Sequence, residues 1–431
     1  MNKITLGLIG YGVVGQGLVK LVNKRRRYMK SKFQVDFVFK TVCDRSIDKK
    51  DKTGLENVKC TADFKEILND AEIDVVVELI GGLNPAKTIV EEALMNNKDV
   101  VTANKELIAN HGKELFTLAK QQRCHLYFEA AVGGGMPVIQ MITEGMAGNT
   151  FYKLYAIING TCNFILSEMS KKNLSFSAAL EEAQKRGYAE SNPTLDVNGM
   201  DSAHKLAILA YLAFGKFIPV KEIYTEGITH ISHHDIEYAE SMNLAIKLLA
   251  IAKRENDELE AHVYPTLIPK NHPLASINGV FNGVYLTANP LGDLLLSGEG
   301  AGAMSAASGV LSDLLNLASQ GEDADFHRNI YSEAADLKVR ALDNIKTRFY
   351  LRFMAIDKPG VLAKLTGVLG EHEIGINSVS QKVHDRSAAV PVVMLTDYTT
   401  EANLRNALTK IQEMESIVKS KPVAIRMETL A

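Results

Sequence analysis

The sequence has few cysteines, no long apolar run and little net charge, and each shortage excludes a class of protein. Its four cysteines, at positions 43, 60, 124 and 162 of 431, show no paired spacing. Neither a disulfide framework nor a thiolate zinc site is therefore expected. No run reaches the roughly 18 apolar residues that span a bilayer. The formal net charge of -3 gives no reason to expect a nucleic-acid or membrane partner. We expect a cytoplasmic protein.

The first third of the chain alternates strand-like runs with helical periods. Strand-like runs begin at residues 4, 35, 73 and 99, and helical periods cover 13–29, 86–96 and 105–122. Strands that alternate with helices of this length form a parallel sheet covered on both faces. The sequence therefore predicts an α/β protein with a Rossmann-type doubly wound parallel sheet over residues 1–130. A less regular α+β catalytic domain, which supplies substrate residues, is expected over 131–320.

A glycine motif directly follows the first predicted strand and opens a helix. The run GYGVVG contains Gly10, Gly12 and Gly15, with Val13 and Val14 at the start of the helix. Glycines at these positions allow a tight turn, close approach of the backbone to a pyrophosphate and close packing of helix on strand. The helix N-terminus attracts the phosphate charge. Together with the alternating strands and helices, this motif predicts that the first domain binds a dinucleotide.

The end of the second predicted strand offers two ways to recognise the ribose of that cofactor. Asp44 can accept a hydrogen bond from a free 2'-hydroxyl and favour NAD, whereas Arg45 can pair with a 2'-phosphate and favour NADP. The sequence offers both and does not separate NAD from NADP. Gly81 and Thr102 follow later strands at their carboxyl ends, where ligands bind in such sheets.

The last part of the chain has the pattern of a small separate module. The run RFYLRFMAIDKPGVLAKLTGVLG alternates apolar residues, turns, and then repeats apolar residues at helical spacing. Asp357 is expected to cap that helix, with Pro359 in its first turn. The pattern resembles an ACT domain, the βαββαβ module that binds amino-acid effectors, over residues 348–431 after a linker at 321–347. By that resemblance an effector would contact Asp357, Gly360, Gly375 and Asn377. Other modules of this kind only assemble oligomers.

Lys205 is the strongest catalytic candidate. The helix that follows it reads LAILAYLAF, which is apolar on every side and predicts a buried helix. Asp201 lies four residues earlier and therefore on the same face. An ammonium held out of water needs partners or loses its proton, and both outcomes suit proton transfer. The alternative is an ordinary Asp/Lys pair at the start of a helix.

The run YAESNPTLDVNGMDSAHKLAILA resembles the signature of homoserine dehydrogenases, in which a glutamate, two aspartates and a lysine have this spacing. Glu190, Asp196, Asp201 and Lys205 match them in turn. The resemblance implies an NAD(P)-dependent interconversion of L-homoserine and L-aspartate 4-semialdehyde, in the biosynthesis of threonine and methionine. No aspartokinase segment precedes Gly10, so we expect a monofunctional enzyme. The ACT-like module then suggests regulation by an amino acid, with threonine the natural candidate.

The resemblance also implies roles for individual residues. Lys205 would act as general acid, with Lys105, which matches a second lysine of the family, competing or cooperating. Asp201 would orient Lys205. Glu190 and Asp196 would pair with the ammonium of the substrate, because homoserine and aspartate semialdehyde both carry one.

The run EAAVGGGMP resembles the monovalent cation loop of the same family. Glu129 would supply its side chain, and Val132, Gly134 and Met136 their carbonyl oxygens, to bind Na⁺. Consecutive glycines let a backbone fold sharply enough for carbonyls to converge on a hard cation. Gly300, in the run GEGAG, would lie in a turn that returns the chain to the cofactor domain.

Two alternative functions stay open at this point. One is a dehydrogenase of a related amino acid or semialdehyde; an aldehyde-oxidising version would need a cysteine nucleophile, for which Cys162 is the candidate. The other is a non-catalytic sensor of nucleotides and amino acids, which would have no use for a buried lysine among acids. The family resemblance further implies a homodimer or homotetramer, with the domain at 131–320 serving for dimerisation as well as catalysis.

Overall fold

The computed structural model describes residues 2–319, 336–381 and 389–430. Residues 321–335 of the expected linker lie outside the described residues. None of the described helices is both long enough and apolar enough to cross a bilayer. The described strands, numbered in chain order, are β1 Asn2–Ile9, β2 Val35–Cys43, β3 Lys59–Thr61, β4 Val75–Glu78, β5 Asp99–Thr102, β6 Leu126–Tyr127, β7 Thr150–Ile157, β8 Tyr224–Thr225, β9 Leu244–Glu255, β10 Glu258–Pro269, β11 Phe281–Asn289, β12 Gly292–Glu299, β13 Lys338–Val339, β14 Lys346–Ala355, β15 Ile376–Gln381, β16 Val390–Thr396, β17 Thr399–Thr400 and β18 Val423–Met427.

The described α-helices are Val13–Lys32, Lys65–Leu68, Ala86–Met95, Lys105–Gln122, Val138–Gln140, Gly160–Lys172, Phe176–Lys185, Thr194–Val197, Met200–Phe214, His233–Ser241, Ala303–Ser319, Val361–Glu371 and Glu401–Gln412. Contacts divide the chain into two units, each built from separate stretches of sequence. Unit 1 contains Met1–Leu154, Asp201–Ile223 and Val280–Asp336. Unit 2 contains Tyr155–Met200, Tyr224–Gly279 and Leu337–Ala431.

Unit 1 is built on a parallel sheet with the strand order β3-β2-β1-β4-β5-β6. All neighbouring strands in it are parallel. The strand order reverses between β1 and β4, so the loops after these two strands diverge and open a crevice at the carboxyl edge of the sheet. All four residues of β4 are buried, as expected for a parallel sheet covered on both faces. The doubly wound domain predicted from the sequence is confirmed.

The helix Ala303–Ser319, although late in the sequence, belongs to the core of unit 1. Its residues Ala307 and Leu314 share one apolar cluster with Leu18 of the helix Val13–Lys32. The two helices approach closely at Gly17, where an added Cβ would lie 2.9 Å from the carbonyl oxygen of Ala303. The chain therefore returns to the first domain after its middle third.

Unit 2 contains a long antiparallel hairpin whose free edge is extended by the C-terminal strand. β9 and β10 are 12 residues each and pair along their whole length. β18 then pairs in parallel with β10, through Thr266↔Arg426 and Leu267↔Met427. Within unit 2 the strands follow the order β9-β10-β18-β14-β16-β15. The C-terminal module is therefore part of the same sheet as the hairpin.

The C-terminal module has the expected βαββαβ order, formed by β14, β15, β16, β18 and the helices Val361–Glu371 and Glu401–Gln412. Alternate residues of β14, Phe349, Leu351 and Phe353, pack on Leu365 and other apolar residues of the helices. The short strand β17 is an addition to this order.

The expected helix cap at Asp357 was wrong. The N-cap is Gly360, in a left-handed conformation with φ of +85°, and no side chain caps the helix. Only a side chain at the N-cap itself reaches the first free N–H groups, and Asp357 lies three residues before it. Pro359 likewise precedes the helix and does not belong to its first turn.

Candidate functional site

Asp201 holds two lysine side chains in unit 1. Its Oδ2 atom accepts a 2.8 Å hydrogen bond from Lys205 Nζ, and its Oδ1 atom lies 3.0 Å from Lys105 Nζ. The Lys205 side chain is 12% exposed and the Lys105 side chain 41%. The helix Met200–Phe214 that carries Asp201 and Lys205 is largely buried, as its apolar sequence predicts. The structure therefore brings the three predicted catalytic side chains together around one carboxylate.

The position of Lys105 is fixed by Asn104, the residue before it. Asn104 caps the helix Lys105–Gln122, because its Oδ1 atom accepts from the N–H of Leu107 at 3.0 Å. Its Nδ2 atom donates to the carbonyl of Gly82 at 2.7 Å, and its own N–H donates to Thr102 Oγ1 at 3.0 Å. Asn104 thus joins the loops that follow β4 and β5 and fixes the start of the helix at Lys105.

The sequence analysis missed Glu78, the fully buried last residue of β4. Its Oε2 atom accepts a 2.5 Å hydrogen bond from Thr102 Oγ1, and its Oε1 atom accepts from the N–H groups of Ile80 at 2.8 Å and Gly81 at 3.3 Å. Burial raises the pKa of Glu78. The signal in the sequence was an acid that ends the apolar run VVVE. Glu78 and Asn104 together shape the carboxyl edge of the sheet.

The glycine motif has the steric features that a dinucleotide site needs. Gly10 has a φ of +103°, and a Cβ there would lie 2.6 Å from the carbonyl of Leu79. A Cβ at Gly15 would collide with the carbonyl oxygen of Gly10, whereas a Cβ at Gly12 would meet nothing within 4 Å. The helix begins at the exposed Val13, followed by the half-buried Val14. Open space in front of a helix N-terminus fits a pyrophosphate.

Asp44 is fully engaged by groups of the protein. Its Oδ2 atom accepts from the Tyr11 N–H at 2.9 Å and from Lys50 Nζ. Its Oδ1 atom accepts from the N–H and the hydroxyl of Ser46, both at 2.9 Å. Burial alone would raise the pKa of Asp44, but the hydrogen bonds from Lys50 and Ser46 lower it to about 2. A carboxylate has about four acceptor positions, so these donors occupy all of them. The neighbouring Arg45 is exposed.

The two predicted substrate acids lie in unit 2 and differ in how firmly they are held. Asp196, in the short helix Thr194–Val197, is half-buried, and its Oδ1 atom accepts from Asn159 Nδ2 at 2.7 Å. Glu190 is exposed, and its backbone carbonyl accepts from Gln184 Nε2 at 3.1 Å. Cys162, the alternative nucleophile, is fully buried and its thiol donates to the backbone carbonyl of Asp196 at 3.2 Å. A thiol held in this way is a packing group.

Glu129 is a buried carboxyl beside a second buried acid. It is 3% exposed, and its two oxygens accept from the N–H groups of Ile139 and Gln140, each at 2.8 Å. Burial, with a contribution from Glu144, raises the pKa of Glu129 to about 7. Its own N–H donates to Asp313 at 2.9 Å, and burial raises the pKa of Asp313 well above its ordinary value.

A cavity of about 10 Å³ adjoins Glu129, Glu144 and Asp313, which is room for one water or small ion. Within the described ranges, no group of three or more His, Cys, Asp or Glu side chains is arranged to hold a metal ion. Three carboxyl groups, those of Glu129, Glu144 and Asp313, border this cavity, and a cation placed in it would offset their negative charge.

The glycine-rich turn that holds Val132, Gly134 and Met136 packs against the turn that holds Gly300. A Cβ at Gly134 would lie 2.9 Å from the carbonyl oxygen of Gly300. Gly300 itself leaves no room for a side chain beside Asn282. Ser305 fastens the two turns, because its hydroxyl accepts from the Gly135 N–H and donates to the Glu299 carbonyl, both at 2.9 Å. The structure therefore joins these two predicted segments within unit 1.

The four predicted effector residues lie at the two ends of one helix. Asp357 and Gly360 are exposed in the turn before the helix Val361–Glu371, and Gly375 and Asn377 are exposed just after it. The carbonyl of Gly375 accepts from the N–H of Asp397 at 2.9 Å. β15, which carries Asn377, is the last strand in the sheet order and most of its residues are exposed.

A cavity of about 230 Å³ in unit 2 contains none of the predicted site residues. It adjoins Lys247, a lysine in the middle of the apolar strand β9 that is 3% exposed. Lys247 Nζ donates to the carbonyl of Ile277 at 2.5 Å and to the side-chain oxygens of Asn163 and Asn278 at 3.2 and 3.0 Å. Burial lowers the pKa of Lys247 to about 8. The three hydrogen bonds of this cation link β9 to the helix Gly160–Lys172 and to the loop at residues 277–278.

Three family models match the chain in succession. The model described as "Homoserine dehydrogenase, NAD binding domain" matches residues 10–129, and the model described as "Homoserine dehydrogenase" matches residues 137–315. The model described as "ACT domain" matches residues 349–415. The matched segments follow the order that the sequence predicted for its three domains.

Several proteins that are similar to this chain are named homoserine dehydrogenase. The homoserine dehydrogenase of Synechocystis sp. is 38% identical over 98% of this chain and 99% of its own length. The Bacillus subtilis homoserine dehydrogenase is 33% identical over 98% of both chains. The crystal structure of a homoserine dehydrogenase from Thiobacillus denitrificans aligns with a TM-score of 0.93 at 38% identity, covering 100% of this chain and 99% of that one. A hyperthermophilic archaeal homoserine dehydrogenase in complex with NADPH aligns with a TM-score of 0.62 at 27% identity, covering 73% of this chain and 97% of that one.

Proposed function

Because the chain belongs to the homoserine dehydrogenase family, we propose that Lys205, held by Asp201, moves the proton in its reaction. The protein is an NAD(P)-dependent oxidoreductase that acts on the CH–OH group of L-homoserine, with an NAD-binding domain and an ACT domain. The nicotinamide, when bound, supplies or accepts the hydride. The protein must then orient the substrate oxygen and manage one proton on it.

Lys205 gives that proton to the aldehyde oxygen during reduction and removes it from the hydroxyl during oxidation. The single observation that carries this assignment is the Asp201 carboxylate, which binds Lys205 on one oxygen and Lys105 on the other. A lysine with a fixed carboxylate partner is held in one position, and general acid–base catalysis of this kind is worth roughly 10²- to 10⁴-fold in rate. Lys105 is the more exposed of the two and cooperates by orienting the same oxygen.

Glu190 and Asp196 bind the ammonium group of the substrate. The hydrogen bond from Asn159 to Asp196 supports this role, because it fixes the orientation of the carboxylate. The exposed Glu190 can approach a substrate after it enters.

The cofactor is proposed to be NADP(H) in preference to NAD(H). All four acceptor positions of Asp44 are taken by Tyr11, Ser46 and Lys50, so a ribose 2'-hydroxyl would have to displace one of these donors. The exposed Arg45 and the ammonium of Lys50 instead offer positive charge to a 2'-phosphate. The archaeal relative in complex with NADPH is consistent with this choice. Gly10, Gly12, Val13, Val14, Gly15, Gly81, Thr102 and Gly300 complete the proposed cofactor site.

We further propose that Na⁺ binds at Glu129 with the carbonyls of Val132, Gly134 and Met136, supported by the burial of that carboxyl beside Asp313. Regulation by threonine through Asp357, Gly360, Gly375 and Asn377 is a separate proposal, supported by the match to the ACT domain. Initial rates measured with and without threonine test it. A complete lack of response would leave the module with an assembly role.

The assembly, location and domain limits also remain proposals. We propose a homodimer or homotetramer, which light scattering after size exclusion tests. A cytoplasmic location is supported by the four free cysteines in the described structure. The proposed domains are 1–130 for the cofactor, 131–320 for substrate and dimerisation, a linker at 321–347 and an ACT domain at 348–431, supported by the matched ranges 10–129, 137–315 and 349–415.

The experiment that tests the central proposal is Lys205→Ala, with Lys221→Ala as control. Lys221 is an exposed lysine of the same unit with no proposed role. Oxidation of NADPH with aspartate semialdehyde should fall by roughly 10²-fold or more in Lys205→Ala, while NADPH binding measured by fluorescence persists. Lys221→Ala should behave as the wild type. Undiminished turnover in Lys205→Ala would show that another group moves the proton.

A further inference from the structure

The last strand of the ACT module carries a buried cation that contacts residues outside that module. Arg426 on β18 is 5% exposed. Its Nε and Nη2 atoms donate to the two oxygens of Glu401 at 2.5 and 3.0 Å, and its Nη1 atom donates to Oε2 of Glu226. The guanidinium also stacks on Tyr264, at 4.5 Å from the ring centroid. Arg426 therefore joins an acid within the module to an acid beyond it, both in unit 2.

Glu226, which directly follows β8, is fixed from several sides. Its N–H donates to the carbonyl of Val263 at 2.8 Å, and the hydroxyl of Tyr224 donates to its Oε2 atom at 3.0 Å. His230 Nε2 lies 3.1 Å from its Oε1 atom. Burial alone would raise the pKa of Glu226, but His230 and Arg426 lower it to about 2. The carboxylate is therefore ionised and held in one orientation.

The residues after Glu226 pack against the end of the segment that carries Asp196. The N–H of Ile228 donates to the carbonyl of Val197 at 2.9 Å. Gly227 is pressed against the same carbonyl, so that a Cβ there would collide with it and lie 2.5 Å from Cα of Asn198. The position of Val197, and hence of the preceding Asp196, is set by this contact.

We propose that Glu226 is a positioning residue that fixes Asp196 for the substrate ammonium and ties this substrate segment to strand β18 of the ACT module. The inference rests on the proposed role of Asp196. Arg426 holds Glu226 in position, and Glu226 holds the backbone of residues 227–228. That backbone contacts Val197 and so sets the position of the neighbouring Asp196. A loss at any step should weaken binding of L-homoserine and leave proton and hydride transfer intact, because Lys205 and the cofactor residues are not part of this path.

The test compares three variants on the path with one matched ion pair off it. Glu226→Gln removes the ion pair, and Arg426→Lys keeps the positive charge but removes the forked geometry of the guanidinium. Gly227→Ala displaces Val197 without changing any charge. Each should raise KM for L-homoserine roughly fivefold or more, with kcat within twofold and KM for the cofactor unchanged. The control is Asp343→Asn, which breaks an exposed ion pair between the linker and Arg405 of the ACT module and should leave every kinetic constant unchanged.

The double variant Glu226→Gln/Asp196→Asn separates positioning from a purely structural role. If Glu226 acts through Asp196, KM of the double variant equals that of Asp196→Asn alone, whereas two independent effects would multiply. If Asp196→Asn leaves KM unchanged, the proposed substrate role of Asp196 is wrong. If Asp196→Asn raises KM but Glu226→Gln and Gly227→Ala only lower Tm, the positioning role is overturned and the substrate assignment stands. Should Glu226→Gln not fold, Gly227→Ala and Arg426→Lys decide in the same way.

Discussion

Lys105 and Lys205 share the carboxylate of Asp201, one on each oxygen, at 3.0 and 2.8 Å. The two lysines are 100 residues apart in the sequence. Lys105 begins its helix, whereas Lys205 lies in the second turn of the helix Met200–Phe214. Two ammonium groups held this close repel each other, and the shared carboxylate offsets that repulsion. Asp201 is therefore the residue on which the geometry of both lysines depends.

Replacing Asp201 by asparagine should remove that offset while keeping the size of the side chain. The two lysines would then separate, and kcat for homoserine oxidation should fall by roughly 10²-fold. Steady-state rates together with thermal unfolding measure the effect and exclude a folding defect. Glu222→Gln, at an exposed acid of the same unit, is the control. A kcat within twofold of the wild type in Asp201→Asn would mean that the lysines do not need this carboxylate.

Replacing Arg45 by alanine should discriminate between the two cofactors. If Arg45 pairs with the 2'-phosphate, KM for NADPH should rise about tenfold while KM for NADH changes little, since a charge-assisted hydrogen bond is worth roughly 1.5 to 3 kcal/mol. Lys49→Ala, at an exposed cation nearby, serves as the matched control. Equal effects of Arg45→Ala on both cofactors would contradict a role in 2'-phosphate recognition.

Exchanging Na⁺ for a large organic cation tests the proposed cation site. With Na⁺ bound at Glu129, Tm of the wild type should be higher in sodium chloride than in choline chloride at equal ionic strength. Glu129→Gln should remove this difference, because the amide carries no charge to offset. Glu66→Gln, at an exposed carboxylate of unit 1, should retain the sodium effect. An identical Tm of the wild type in both salts would argue against the site.

Lys247 should give unit 2 a stability that increases in alkaline solution. Burial lowers its pKa from 10.5 to about 8, so between these values the unfolded chain binds more protons than the folded one. Stability of the wild type relative to Lys247→Met should therefore rise from about pH 8 to about pH 10.5, by up to about 3 kcal/mol. Differential scanning fluorimetry across this range measures the change.

The control is Lys171→Met, because Lys171 is exposed. Lys253 is unsuitable as a control because it is paired with Glu428. A constant difference in Tm between the wild type and Lys247→Met would contradict the assignment.

The sequence predicted the local parts of this structure and missed those that depend on distant contacts. Strand and helix periods, the glycine motif, and the spacing from Asp201 to Lys205 are local, and the structure has each of them. The return of the helix Ala303–Ser319 to the first domain was expected only from the family resemblance of the run GEGAG, because it depends on packing near Gly17 that no local pattern reveals. The roles of Glu78 and Asn104 were not predicted for the same reason, since their partners lie on neighbouring strands and loops.

Asp357 and Lys247 show two further limits of local patterns. Asp357 has a common capping side chain, but the helix begins after the left-handed Gly360, three residues later, so its residue type was a misleading signal. No local pattern marks Lys247, within the run LAIKLLAIA, as a buried cation. Its three acceptors come from residues 163, 277 and 278, and the last two lie 22 and 23 residues beyond the end of the strand at Glu255.

The pairing of β18 with β10 has a consequence for the evolution and engineering of this chain. A shortened version that ended before residue 423 would leave the hydrogen-bonding groups of Thr266 and Leu267 without their strand partner. An uncovered strand edge of this kind is a template for association with other chains. A truncated enzyme without the regulatory module would therefore need a charged residue or a proline on that strand edge to prevent association with other chains.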